Sequence, residues 1–437
     1  MQHSYEALDR GGGFSRTNLL APLRHRDFRV LWAGMTVSLL GDGMFLVAMA
    51  WQVYALSNAP TALSIVAISM TVPHIAFLLV GGAWSDRFDR RLVMLYADGV
   101  RGLAIATMAV LALTGALRLS HMIVLVAVYG AGTAFFGPSF DAIVPDVLPP
   151  DLLAQANSLD QFIRPVALRL AGPALGGLVV GLAGTGGAFA VDAASFAASG
   201  AALLAMHVRP PSGGRTGGSV VGDIREGFAY VRSNVWLWGT FLAATFAYLA
   251  FMGPAEVLLP YLVKNELHGS AHDLGFVFAA GGIGAIGAAA LMGHRTLPRR
   301  TITFMYATWT VATVAVAGYG IATSAWQLMI ACLVFNALET AGTIVWATMK
   351  QQHIPARLLG RVSSLDWLIS IGLLPISFAL TGPASAAFGV RPTLIVAGIA
   401  GAVVTLAALF LPHMRDLERG TVASAPVPIR RSEANLV

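Results

Sequence analysis

"GGAWSDRFDRR", Gly81 to Arg91, places five charges in six positions between two long apolar runs. Asp86, Arg87, Asp89, Arg90 and Arg91 surround a single Phe88. A helix that crosses ~30 Å of hydrocarbon needs roughly 20 apolar residues. A block of charge between two such runs therefore reads as a tight aqueous turn between two membrane spans. Arg90 and Arg91 anchor the start of the following helix. Asp86 is placed to accept hydrogen bonds from neighbouring arginines or from helix N-terminal amides.

The rest of the chain carries the same message. Its 437 residues are 56% hydrophobic and only 11% charged, with a mean hydropathy of +0.71, whereas soluble domains carry about 25% charged residues. The expected fold is all-α integral membrane, with twelve spans: 28–56, 60–83, 91–115, 120–142, 152–183, 186–207, 236–263, 272–294, 301–322, 325–348, 358–387 and 391–412. Segments five and eleven are long enough to tilt or to project beyond the bilayer. The joins Asn58-Ala-Pro60, Gly184-Thr-Gly186 and Thr323-Ser324 are so short that their flanking segments must be antiparallel neighbours.

The expected organisation is a polar N-terminal tail (1–20), a six-helix bundle (21–207), a linker (208–235), a second six-helix bundle (236–412) and a polar C-terminal tail (413–437). Both tails read as disordered. "RPPSGGRTGGS" (209–219) is flexible-linker chemistry. The following "GDIREGFAYVRSNVW" puts Ile224, Phe228 and Val231 on one helical face, the pattern of a short helix lying in the membrane interface.

Charge sets the orientation. With the N-terminus inside, 22 of the 28 Lys and Arg fall in inner segments and only Arg118, Lys264 and Arg391 in outer loops. Both termini are therefore expected in the cytoplasm. No cleavable signal is read at the N-terminus. The 26 Arg against two Lys, together with the Ala and Gly load, suggest a GC-rich bacterial genome and hence the cytoplasmic (inner) membrane. The pI near 9.8 reflects this one-sided distribution, and nucleic acid is not an expected partner. Cys332, the single cysteine, has no thiol partner for a disulfide or a metal site and reads as core filler.

The two halves repeat. "LPPDLLAQANSLDQFI" (148–163) aligns without gaps to "IPARLLGRVSSLDWLI" (354–369), with Asp160 opposite Asp366. Gly172-Pro173 corresponds to Gly382-Pro383, and the opening turn is echoed in Gly293-His-Arg-Thr-Leu-Pro-Arg299-Arg300. Six spans followed by six, both starting inside, form a parallel repeat, an arrangement that places a pathway between the halves near the midplane.

The turn at Gly81–Arg91 resembles the loop signature of the major facilitator superfamily, Gly-x-x-x-Asp-Arg-x-Gly-Arg-Arg. Gly82, Asp86, Arg87, Arg90 and Arg91 match, and Asp89 stands where the family has a later Gly. Asp tolerates left-handed backbone better than most residues, so the turn is expected to survive. The resemblance implies a cytoplasmic latch in which Asp86 docks near Leu358 to Ser364 of segment eleven. Asp98 and Arg101, at i and i+3, read as a local or loop-docking ion pair in the same region. "LAGPALGGL" (170–178) resembles the antiporter signature Gly-Pro-x-x-Gly-Gly through Gly172, Pro173, Gly176 and Gly177. The small residues allow close helix approach and the proline a bend. The superfamily's usual Arg in helix four is missing from 120–142, so its proton-relay role is not carried over.

Ionisable groups inside spans are costly and by default functional. Asp42, His74, Arg164, Arg169 and Glu339 fall near mid-span. Asp192 and Glu256 fall nearer the outer face, and Asp98, Arg101, Asp160 and Asp366 nearer the inner. Asp42 is expected to pair with Arg164 or Arg169, with substrate or proton binding disturbing the pair. Glu339 is an alternative proton carrier, and Glu256 an outer-gate candidate. Asp141 is expected beside the loop arginines. Trp32, Trp51, Trp84 and Trp326 read as interfacial belt. Trp346, Phe135, Phe136, Phe246, Tyr248 and Phe251 are candidates to line a cavity.

No nucleotide-binding loop, metal spacing or nucleophile elbow is present, so neither enzymatic chemistry nor a cofactor is expected. The expected activity is secondary transport by a monomer whose partners are a small-molecule substrate, protons and membrane lipid. With "SDRFDRR", "GPALGG" and "REGFAYVRSN" the chain is similar to bacterial drug and siderophore exporters. That resemblance implies proton-coupled export of amphipathic compounds or, alternatively, of an anionic metabolite such as a siderophore. Lipid or sugar uptake and a non-transporting sensor are weaker alternatives.

Overall fold

The computed structural model describes residues 20–149, 152–207, 220–293 and 298–418. The N-terminal tail, the Gly/Pro-rich linker, most of the second turn echoing the first, and the end of the C-terminal tail lie outside the described residues, as do the side chains of Gly82, Asp86 and Arg87.

Fourteen helices are described: α1 Arg26–Leu56, α2 Pro60–Arg87, α3 Arg90–Leu113, α4 Leu119–Val147, α5 Leu153–Pro165, α6 Gly172–Ala205, α7 Val220–Ser233, α8 Val235–Tyr261, α9 Ala271–Gly293, α10 Thr301–Ile321, α11 Ala325–His353, α12 Ala356–Ile371, α13 Leu374–Phe388 and α14 Val390–Ala408. Among the described residues, eleven spans are long and apolar enough to cross a membrane. One of them, Phe162–Ala205, runs for 44 residues and is broken at Gly184, whose φ of 71° is open to glycine at no steric cost. The chain reverses there. Gly41 of α1 abuts Asp192 and Ser195 beyond the break, while Gly43, half a turn further on, abuts Gly172 before it. Segment eleven divides between α12 and α13 across Gly372 and Leu373.

The core explains how the two halves meet. At the end of the molecule remote from the termini, one cluster of buried residues joins both halves, among them Val53 and Tyr54 with Val257, Leu258 and Leu262. At the terminal end the core divides in two. One cluster, with Phe28, Met94 and Phe140, belongs to the first half. The other, with Trp236, Tyr306 and Trp346, belongs to the second. The halves are thus sealed together at the far end and packed separately at the terminal end. Tyr54 donates to the Val257 carbonyl across the far seam at 2.6 Å, and the Lys264 ammonium lies 4.9 Å from the Trp51 ring centre.

The turn at Gly81–Arg91 is built differently from expectation. Asp89 does not take left-handed backbone: its φ is −58°, and its carboxylate caps α3 by accepting from the amides of Arg91 and Leu92. An N-cap aspartate satisfies amides that the first helical turn leaves free, so here the Gly-to-Asp change trades a flexible turn for a cap. Arg90 donates to Asp146 at 2.5 Å and to the Ala142 carbonyl. The acidic partner of this arginine on α4 is Asp146, one helical turn beyond the expected Asp141. Arg91 reaches the Leu204 carbonyl at the end of α6. α7 is tethered to the second half: Glu226 pairs with Arg361, Tyr230 donates to the His353 carbonyl, and Val231 is buried.

Candidate functional site

α3 carries Arg101 into the middle of the first half, where it crosses α4 at Gly132. A Cβ on that glycine would sit 2.8 Å from the arginine Cγ. The guanidinium lies between the rings of Phe136, 4.7 Å away, and Phe196, 4.6 Å away, and only 4% of its side chain is exposed. It pairs with Asp98 one turn back on α3, and Ser199 of α6 donates to the same carboxylate at 2.6 Å. Asp42 accepts from the Tyr129 hydroxyl at 2.6 Å and lies 3.8 Å from Arg101. Asp192 completes the group, fully buried against Gly41. Three carboxyls and one guanidinium thus share a pocket walled by aromatic rings, in which charges interact far more strongly than in water.

The pairing expected for Asp42 is replaced. Neither Arg164 nor Arg169 bonds to it. Arg164 turns along its own helix to Asp160 at 2.7 Å and lies 5.5 Å from the Phe140 ring. Arg169 leaves the first half altogether, approaching Glu339 of α11 at 3.7 Å and Asn336 at 3.4 Å. Charge spacing along one helix gives depth but no azimuth, so the sequence offers no means of choosing between Arg101, one helix away, and the two arginines of segment five. Asp192 lies beside Gly41, level with Asp42 rather than nearer the far end.

Arg169 owes its position to local backbone. Val166–Ala171 is a π-helical stretch between α5 and α6, a wide turn that accommodates one extra residue and is frequent at functional sites. Pro173 has no amide to offer the carbonyl of Arg169, four residues earlier. Gly282 of α9 packs against that carbonyl. Gly172, Gly176 and Gly177 divide the remaining contacts. A Cβ on Gly176 would lie 2.8 Å from Met44 Cα in α1, and one on Gly177 would lie 2.7 Å from the Ala271 carbonyl in α9. The Gly-Pro-x-x-Gly-Gly run therefore joins helices within the first half and between the halves.

Elsewhere, Asp366 accepts from Lys350 at 2.6 Å and from Trp346 at 2.8 Å, so its partner comes from another helix, whereas the partner of its repeat mate Asp160 lies on the same one. Glu256 is exposed on α8. His74 is half-buried beside the Gly130 backbone. Asp141 lines a cleft of about 270 Å³ with Phe28, Trp32, Phe140 and Asp160. Tyr248, Phe251, Phe335, Trp309 and Glu339 line a second, about 50 Å³, well below the size of a drug-sized pocket. Of the aromatics expected to line a cavity, Tyr248 and Phe251 do so. Phe136 covers Arg101, Trp346 bonds Asp366, Phe135 packs on Phe77 and Trp84, and Phe246 is exposed.

The sequence reading missed Tyr129, Asn336, Ser195 and Ser199. One signal was present: Asp192, Ser195 and Ser199 recur at three and four residues along an otherwise apolar helix, a polar stripe that needs a polar partner.

Residues 17–435 match a family described as transmembrane secretion effector. The multidrug efflux pump Tap of Mycobacterium tuberculosis is 29% identical over 420 residues, covering 92% of this chain and 97% of that protein. Macrolide efflux protein A of Streptococcus pyogenes is 21% identical over 398 residues, covering 90% and 96%. Among solved structures, a bacterial homologue of the iron transporter ferroportin in its inward-facing state aligns with a TM-score of 0.64 at 17% identity, over 88% of this chain and 98% of that one. An inward-facing, unoccupied bacterial homolog of the lysosomal transporter Spinster aligns with a TM-score of 0.62 at 15% identity, over 92% and 98%. With a family match running almost from end to end and this fold, the chain belongs to the transmembrane secretion effectors of the major facilitator superfamily, transporters rather than enzymes.

Proposed function

We propose that this protein is a proton-coupled exporter of amphipathic small molecules in the bacterial inner membrane, working by alternating access with both termini in the cytoplasm. On this reading the reversal at Gly184 makes two crossings of the 44-residue span, giving twelve in two parallel six-helix repeats. The far seam is then the closed extracellular gate, and the divided core at the terminal end marks the cytoplasmic opening. The efflux relatives support the substrate class.

One observation carries the coupling: a buried carboxyl cluster lies one packing contact from the ion pair that bridges the halves. Gly43, next to Asp42, packs on the π-helical stretch that bears Arg169, and Arg169 faces Glu339. A change in charge at Asp42 alters the hold of Arg101 and the seat of α1. Through Gly43 and Gly172, that shift reaches the pair between the halves.

The test is dye and proton flux in proteoliposomes. Asp42→Asn and Glu339→Gln are each expected to abolish proton-linked dye efflux while leaving expression and insertion intact. Normal coupled flux in both variants would remove the mechanism. Arg169, with half of its side chain exposed, gives a second reading some support, export of an anionic metabolite. In that case Arg169→Ala weakens binding of an anion far more than of a cationic dye.

A further inference from the structure

The cluster around Arg101 contains one group that its ion pairs leave unaccounted for. Asp192 has 0% exposure, and its Oδ2 has no hydrogen-bond partner. Its Oδ1 lies 3.3 Å from the Ser195 hydroxyl, which is closer, at 2.7 Å, to the main-chain carbonyl of Asp192 itself. The groups facing it are Asp42 from α1, Arg101 from α3 and Tyr129 from α4, with the hydroxyl of Ser195 on its own helix. Arg101 is committed to Asp98 and to two aromatic rings.

One guanidinium cannot balance three carboxylates. Fully ionised, the cluster would hold two uncompensated negative charges in a largely buried, ring-lined pocket, and a buried unpaired charge is neutralised by a proton rather than tolerated. The carboxyl to be neutralised first is the one with the poorest donors. Asp98 has Arg101 and Ser199, Asp42 has Tyr129 and the flank of Arg101, and Asp192 has a single long contact.

We propose that Asp192 is held as a neutral carboxylic acid in this conformation and is the cluster's second exchangeable proton site beside Asp42. The assignment deepens the proton-coupled reading and rests on it for its role in transport. When water reaches the pocket, the Asp192 O–H bond breaks, the proton leaves to water, and the carboxylate left behind competes with Asp98 for Arg101. Reprotonation from water reverses the step, and no other reactant is needed.

Infrared difference spectra of the full chain in proteoliposomes test the protonation directly. At neutral pH the wild type is expected to show the carbonyl stretch of a protonated carboxylic acid, sensitive to exchange into D2O. Asp192→Asn should lose that band's Asp192 component, and Asp192→Glu, which keeps the acid, should move it instead. Absence of the band in the wild type, or its full persistence in Asp192→Asn, overturns the assignment. For the transport role, Asp192→Asn should lower by one the number of protons exchanged per dye molecule, and an unchanged ratio rejects that role. If the band behaves as expected but the wild type shows no proton-linked flux, the exporter reading fails and the protonation of Asp192 stands.

Discussion

Arg101 reaches the middle of the first half from α3, crossing α4 at a glycine. α4 contributes no arginine but supplies Gly132, the gap through which the side chain crosses, and Phe136, one of its two ring partners. A guanidinium so placed gains about 2 kcal/mol or more from a desolvated ring contact, and its removal would leave the buried Asp98 without a cation. Removing one partner of a buried ion pair costs about 3–5 kcal/mol. Arg101→Ala is therefore expected to destabilise the folded protein by an amount of that order, read as a lower midpoint of denaturant unfolding in detergent. Arg101→Lys should fall between the two, since it keeps the charge but loses the planar fork that lies between the rings. At this scale the sequence was partly legible. Asp42, Asp98 and Arg101 stand out as charges in apolar runs, and the i, i+3 spacing gave the pairing of Asp98 with Arg101, but whether Asp42 meets them depends on the rotation of each helix about its axis. Helices as uniformly apolar as α1 and α4 give no amphipathic stripe to fix that rotation.

Among the elements, the broken fifth span is the one on which the two halves depend. Its π-helical stretch, its proline and its glycines let α1 approach from one side and α9 from the other, with Gly275 of α9 reciprocating against the Pro173 carbonyl. Gly177→Val is expected to force α9 away and hold the far seam open. In spin-label distance measurements across that seam, this should appear as a longer, broader distribution, and transport should fall with it. Gly287→Val on the same α9, where nothing lies within 4 Å of a Cβ, should change neither. Most of the spans were readable because polar turns punctuate the apolar runs. The fusion of spans five and six was less so. Gly184 marks the break in the sequence, but helical hydrogen bonding resumes so quickly around it that length and composition register one span of 44 residues.

At the scale of the molecule, the far seam closes on hydrogen bonds that end on main-chain carbonyls and on close-packed small residues. Tyr54 donates to Val257, Lys264 reaches the Trp51 carbonyl at 3.4 Å, and Gly382 rests on Thr61. A neutral hydrogen bond of this kind contributes about 0.5–1.5 kcal/mol. Tyr54→Phe should therefore shift the balance between closed and open seam by up to roughly tenfold, measurable with the same spin labels. Cys332 is buried, which keeps the native thiol out of reach of such labels. The all-helical, multi-span architecture was legible from the apolar runs, yet where the halves touch was not, because a glycine against a glycine leaves no mark in hydropathy.

The same seam has a bearing on the medium in which the protein works. Adhesion set mainly by shape and by main-chain dipoles leaves dissolved ions chiefly the Lys264 contact to Trp51 to screen, so its strength should change only modestly from dilute buffer to concentrated brine. A single added methyl group at a contact such as Gly177 would be felt at once. If the seam is the extracellular gate proposed above, it is tuned mainly by steric fit, and a wide change of external ionic strength should loosen it little.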